Sequence, residues 1–180
     1  MIQVVDNKEI APKIFQMNLA ASEVAKTATP GQFLHIRCSS ALAPLLRRPI
    51  SIAGVDAAEG TVDIIYRVVG EGTSWLSQRV PGDELDILGP LGRGFPMSKS
   101  GSNPVLVGGG LGVAPLLYLA RRIAEIRGPE VAANSLGRVF LGFSTISEAY
   151  GIEQLTSLGY DVFIATDDGT LGHKGFPTDP

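Results

Sequence analysis

Two short stretches of this chain carry residue types that could do chemistry. Arg48-Pro49-Ile50-Ser51 sets a guanidinium beside a hydroxyl, with a proline holding the backbone extended between them. A planar five-donor arginine suits a pyrophosphate, and a hydroxyl suits the polar edge of a ring. Gly108-Gly109-Gly110-Leu111-Gly112-Val113-Ala114-Pro115 brings bare backbone to the start of a helix, where free N–H groups collect phosphate. A third stretch, Tyr66-Arg67-Val68-Val69-Gly70-Glu71-Gly72-Thr73, ends a strand in two glycines and opens a second helix start. There Gly72 admits a close approach, Thr73 adds a hydroxyl, and the Tyr66 ring could cover a ring face. Each has a plainer reading. Arg48 could be a surface arginine on an edge strand, Gly72-Thr73 a glycine hairpin with a threonine cap, and the glycine turn a packing device.

Positioning these groups takes two kinds of element. Residues 1–98 read as all-β. In Thr61–Val69, Val62, Ile64, Tyr66 and Val68 share one face and Asp63 and Arg67 the other, which is the period of a strand. Gln32–Arg37 and Glu84–Leu88 are further strands, the latter opened by Pro81-Gly82-Asp83 and stopped by Gly89-Pro90. Short strands with regular turns predict a barrel or a sandwich, and closure without exposed edges favours the barrel. One short helix starts near Thr73. Residues 99–103 (Lys-Ser-Gly-Ser-Asn) read as a linker. Residues 104–180 then alternate: strand Val105–Val107, a helix from Val113 to about Arg127-Gly128-Pro129, strand Val139–Phe143, helix Ser147–Leu158, strand Val162–Ala165. That is half of a doubly wound nucleotide-binding α/β domain.

Composition narrows the function class. Of 180 residues, 44% are hydrophobic and 18% charged, and the net charge of -3 gives no basic field for nucleic acid. No apolar run approaches the roughly 20 residues of a membrane span. Ile2-Gln3-Val4-Val5-Asp6 lacks the basic and apolar regions of a signal peptide, and the single cysteine, Cys38, pairs with nothing internally, so a cytoplasmic protein is expected. The only histidines, His35 and His173, have no metal-ligand spacing, and Ser51 has no histidine beside it in sequence to make it a nucleophile. No catalytic side chain and no metal ligand is therefore assigned.

The order Arg-Pro-x-Ser, Tyr-x-x-x-Gly-x-Gly-Thr, Gly89-Pro90-Leu91-Gly92-x-Gly94-Phe95 and Gly-Gly-Gly-x-Gly-x-Ala-Pro resembles the ferredoxin-reductase superfamily. Leu46-Arg47-Arg48-Pro49-Ile50-Ser51-Ile52 and Leu88-Gly89-Pro90-Leu91-Gly92 look most like the electron-transfer subunits of B-type dihydroorotate dehydrogenases, in pyrimidine biosynthesis. The resemblance implies a Greek-key flavin barrel followed by a nicotinamide domain. It implies FAD contacts at Arg48, Pro49, Ile50 and Ser51, at Ile65, Tyr66 and Arg67, and at Gly72 and Thr73. It implies NAD(H) contacts at Gly109, Gly110, Gly112, Ala114 and Pro115, and at Thr166, Asp167 and Gly169. The implied partner is an FMN-containing dihydroorotate dehydrogenase catalytic subunit. Small subunits of NADH-dependent ferredoxin:NADP oxidoreductases and of sulfhydrogenases share these motifs, and a flavin-binding fragment without turnover is a further alternative.

Two departures are expected to matter. The resemblance implies a fourth strand beyond this point and, in the dihydroorotate dehydrogenase subunits, a cysteine-rich tail holding a 2Fe-2S cluster, which needs four thiolates, whereas Cys38 is the one cysteine here. Pro180 falls after the third strand, so a truncated chain, or an edge covered by a partner, is expected. Flavin should then be retained but reduced poorly by NADH. Ser144-Thr145-Ile146-Ser147-Glu148, beyond the second strand, holds no positive charge, so NADH is expected over NADPH.

Overall fold

The computed structural model describes residues 1–39, 45–97, 103–128 and 135–179. Two compact units divide the chain, Met1–Gly94 and Phe95–Pro180. The expected linker at 99–103 lies, apart from Asn103, outside the described residues, as does Pro129 at the expected helix stop.

The first unit is a seven-stranded antiparallel sheet curled into a nearly closed barrel. Its strands are β1 (Ile2–Ala11), β2 (Ile14–Ala20), β3 (Phe33–Ile36), β4 (Arg48–Asp56), β5 (Thr61–Arg67), β6 (Glu84–Leu85) and β7 (Ile87–Leu91), in the order β6-β1-β2-β5-β4-β3-β7. The two outer strands are consecutive in sequence and joined through Asp86. The seam of the barrel is thus spanned by a single residue. Arg47 closes it, donating to the Asp86 carboxylate at 2.6 Å and to the Asp86 carbonyl at 2.7 Å. The alternation read in the sequence is what fills the interior: Ile14, Met17, Leu19, Leu34, Ile36, Ile52, Val62 and Ile64 are all fully buried.

Two boundaries differ from expectation. Gly89-Pro90 does not stop a strand, since β7 runs through it, and Gly89 is admitted because a Cβ there would meet Leu34 at 2.5 Å. Two short helices flank the strands, α1 (Ser22–Thr27) and α2 (Glu71–Ser77), and α2 starts two residues before Thr73.

The second unit is a parallel sheet of β8 (Val105–Gly109), β9 (Arg138–Phe143), β10 (Asp161–Thr166) and β11 (His173–Lys174), in the order β11-β10-β9-β8. Among the described residues β8 is therefore an edge strand. The two-residue β11 was not expected, because His173 reads as part of a glycine loop. Helix α3 (Val113–Arg127) covers one face together with the short α4 (Ile152–Ser157). The helix expected over Ser147–Leu158 is split. A 3₁₀ turn spans Ile146–Glu148, and Gly151 takes a left-handed conformation (φ 79) that restarts the chain as α4. Leu106, Val139, Leu141 and Phe143 are buried beneath the helices. On the opposite face Val107 and Phe163 are exposed, flanking Phe140 in register, and the Phe140 and Phe163 rings stack at 4.9 Å.

Candidate functional site

In the first unit the three motif segments meet around Arg48. β4 and β5 pair from Asp56↔Thr61 to Ile52↔Ile64 and then part company. The stretches left without ladder partners on each other are Arg48–Ser51 and Ile65–Arg67, the two segments predicted to touch one ligand. β4 is held from its other side by β3 (Ile36↔Arg48, Phe33↔Ser51) and β5 by β2 (Ile14↔Arg67, Gln16↔Ile65). Each of these stretches is thus held in its strand by the neighbour on its other side. Pro49 removes one N–H from its edge, opposite His35, at an exposed position of β4.

Arg48 is half-buried, and its guanidinium donates to the Leu46 carbonyl at 2.6 Å. It lies directly over Gly72: a Cβ there would sit 3.0 Å from the Arg48 Nε and 3.2 Å from the Cys38 Cβ. Gly72 is a glycine because the arginine needs its place. Cys38 is buried beneath them, and that burial pushes its thiol up although the Arg48 charge pulls the other way. The Ser51 hydroxyl, half-buried in β4, makes no hydrogen bond among the described residues. Such a group is suited to a ligand atom.

Two side chains are spent elsewhere. The Tyr66 ring does not line the gap. It is 1% exposed, stacks on Phe15 and donates to the Asn7 Oδ1 at 3.0 Å. Desolvation drives its hydroxyl well above the ordinary phenol range. The expectation that this ring covers a ligand face is therefore corrected. The Thr73 hydroxyl accepts from Val69 and Gly70 N–H and donates to the Gly70 carbonyl, so it fastens the loop into α2.

Asn7 was not singled out in the sequence. Its amide donates to the carbonyls of Leu76, Ser77 and Arg79, at 3.2, 3.3 and 2.9 Å. It caps the C-terminal end of α2 from β1, and with Tyr66 it fixes the helix that presents Gly72. An asparagine in a strand gives no local signal of this role.

In the second unit the carboxyl ends of β8, β9 and β10 lie along one edge of the sheet, with Gly109, Gly142 and Ala165 in register. This is the edge where open α/β sheets bind ligands. The four glycines of the turn divide by role. Gly108 is a packing residue, since a Cβ there would strike Leu116 at 2.6 Å. A Cβ on Gly110 or Gly112 would meet nothing within 4 Å, and on Gly109 only the Gly142 carbonyl at 3.7 Å. Their bare faces look onto open space. Gly112 is the N-cap of α3 and offers no capping side chain. Ala114 is buried, and Pro115 sits in the first turn of α3, where its missing N–H is harmless. The Tyr150 hydroxyl donates to the Gly110 carbonyl at 3.0 Å and steadies the turn.

After β10, Thr166 is fully buried. Its hydroxyl donates to the Leu171 carbonyl and accepts from Leu171 N–H, closing the loop. Asp167 and Gly169 are exposed at the tip. Gly172, at a left-handed φ of 69, has no alternative, because a Cβ there would collide with the Ile164 carbonyl. Asp168 accepts from the N–H and hydroxyl of Thr170, which hold its carboxyl below the usual range.

No protein-family model matches the sequence. The chain is 46% identical over 179 residues to the electron transfer subunit of dihydroorotate dehydrogenase B (NAD(+)) of Bacillus pumilus, covering 98% of this chain and 66% of that protein. It is 43% identical over 180 residues to the subunit of the same name from Bacillus velezensis, covering 99% of this chain and 67% of that one. It thus spans about two thirds of the length of these curated relatives. Among solved structures, a chain of the NADH-dependent reduced ferredoxin-NADP oxidoreductase superposes with TM-score 0.81 at 29% identity, over 97% of this chain and 59% of that one. The barrel, the parallel sheet with its open glycine turn, and identity of 43–46% over nearly all of this chain agree: this chain belongs to the family of electron transfer subunits of dihydroorotate dehydrogenase B.

Proposed function

We propose that the chain is a flavoprotein electron-transfer module that holds FAD on its barrel, takes NAD(H) on its α/β unit and moves electrons between them. The observation that carries the reading is the parting of β4 from β5 beside Arg48, with the half-buried Ser51 hydroxyl unpartnered. Arg48 would neutralise the pyrophosphate, with backbone of Gly72 and Thr73 against it. Ser51 and the backbone of Pro49-Ile50 and Ile65-Tyr66-Arg67 would hydrogen-bond the ring's polar edge. Bound flavin would supply the redox chemistry, exchanging a hydride's two electrons with the nicotinamide. The protein orients, excludes water and tunes, and no side-chain acid or base is needed.

On the second unit, Gly109, Gly110, Gly112, Ala114 and Pro115 would take the dinucleotide pyrophosphate at the α3 N-terminus, with Thr166, Asp167 and Gly169 beside it. The partner is an FMN-containing dihydroorotate dehydrogenase catalytic subunit, and the compartment is the cytoplasm. A 2Fe-2S cluster does not fit these 180 residues: four thiolates are needed and one cysteine is present, buried. No electron path through a cluster is therefore assigned to them.

Flavin retention tests the reading. Arg48→Ala removes charge-assisted contacts worth roughly 1.5–3 kcal/mol, so FAD should dissociate about ten- to a hundredfold more readily. The measurement is flavin absorbance retained through dialysis, with the released nucleotide identified by chromatography. Equal retention by the variant would remove Arg48 from the site.

A further inference from the structure

The contacts proposed above account for two parts of a flavin dinucleotide, the ring at Ser51 and the pyrophosphate at Arg48 and Gly72. They leave the adenosine without a partner. Trp75 lies three residues beyond Gly72 in α2. Residues three apart share a helix face, and a long side chain leans back over the turn before it, here the turn that carries Gly72. Thr73 and Leu76 take the buried positions of α2, whereas Trp75, its largest side chain, is only half-buried. Its ring is nevertheless braced. The Arg79 guanidinium covers one face, with its carbon 4.2 Å from the ring centroid. Arg79 Nε donates to the Trp75 carbonyl at 3.2 Å, and the same guanidinium pairs with the Asp83 carboxylate at 3.4 Å. The Asn7 amide donates to the Arg79 carbonyl at 2.9 Å and ties this residue to β1. Among the described residues no second ring stacks on Trp75, and its indole N–H donates to nothing.

We propose that Trp75 is the adenine platform of the flavin site: the ring face that Arg79 leaves open stacks on the purine, and the barrel thereby selects FAD over FMN. This rests on reading Arg48 and Gly72 as the pyrophosphate site. An indole suits a cation on one side and a base on the other. The guanidinium is drawn to the negative face of the ring, and a purine offers a π-face to stack. Because Asp83 and Asn7 already fix Arg79, the plate is in place before the ligand arrives, and little ordering is left to oppose binding.

Trp75 is the only tryptophan of the chain, so tryptophan fluorescence reports this ring alone. The test titrates the full chain, freed of flavin, with three probes: FAD, FMN, which lacks the adenosine, and ADP, which lacks the flavin. Wild type should bind FAD more tightly than FMN, and ADP should change Trp75 fluorescence as it competes with FAD. Trp75→Leu, which keeps an apolar helix former at the position, should weaken FAD and ADP by about tenfold, the worth of one base on an aromatic side chain, and leave FMN unchanged. Trp75→Phe should restore part of the FAD preference. A merely structural role for Trp75 would weaken both flavins together and keep their ratio. An unchanged FAD-to-FMN ratio in Trp75→Leu overturns the platform. So does ADP that displaces FAD from wild type without altering Trp75 fluorescence, a result that needs no variant to fold. Wild type that binds neither flavin overturns the flavin reading on which the platform stands.

Discussion

At the scale of single residues, neighbours of the same type have different work. Arg47 and Arg48 are adjacent in sequence, yet Arg47, just before β4, reaches the Asp86 seam, and Arg48, the first residue of β4, lies over Gly72. The motif names the pair without separating them, and only the sheet does so. Asn7 shows the opposite case, a residue with no motif and four hydrogen bonds that tie β1, β5 and α2 together. Asn7→Ala leaves three helix-end carbonyls and the Tyr66 hydroxyl without this partner. Stranding buried polar groups costs about 1–3 kcal/mol, and Tyr66→Phe, which deletes only one hydrogen bond, about 0.5–1.5 kcal/mol. Urea denaturation gives both values. Because α2 carries Gly72, weaker FAD binding should accompany the loss in Asn7→Ala. A variant within about 0.5 kcal/mol of wild type would mean that water replaces the cap fully.

Whole elements follow from strand alternation and from where glycine is required. The periods of β5, β9 and β10 were legible because buried and exposed positions alternate or run apolar in short stretches. The split of the Ser147–Leu158 helix was not, because Gly151 is tolerated in a helical pattern and only its left-handed φ reveals a break. The barrel's closure was foreseen in kind, but its seam was not, since it depends on Arg47 reaching Asp86 across 39 residues of sequence. That seam has a pH signature. The Arg47 hydrogen bond, with its charge, holds the Asp86 carboxyl below the usual carboxylate range. A group whose folded pKa is depressed contributes stability above its unfolded pKa and loses it as pH falls through the folded one. Wild type should therefore lose this contribution below about pH 4, near the ordinary aspartate value, while Asp86→Asn has none to lose. Melting curves of both from neutral pH to pH 2 should converge on acidification. A constant gap would show that the ion pair adds nothing beyond the backbone contacts of Arg47.

For the whole molecule, the division into Met1–Gly94 and Phe95–Pro180 places each proposed site within one unit with its own core. The barrel buries its interior on all sides. The parallel sheet is covered on one face by α3 and α4, while Val105, Val107 and Phe163 on the other are 61%, 48% and 42% exposed. Less apolar burial means less stability, so the second unit should melt first. A ligand that binds only the folded barrel stabilises it by about 2.7 kcal/mol at a hundredfold excess over Kd. In a unit of this size each kcal/mol moves the midpoint by about 4–8 °C, so FAD should raise one transition by roughly 10–20 °C. Scanning calorimetry with and without FAD should then show a low transition that stays and a high one that moves. Leu141→Ala, in the buried face of β9, assigns the low transition by lowering it alone. If FAD raised both transitions equally, or only one existed, the units would be unfolding as a single cooperative body, and the flavin would be stabilising residues well beyond the barrel that holds its motifs.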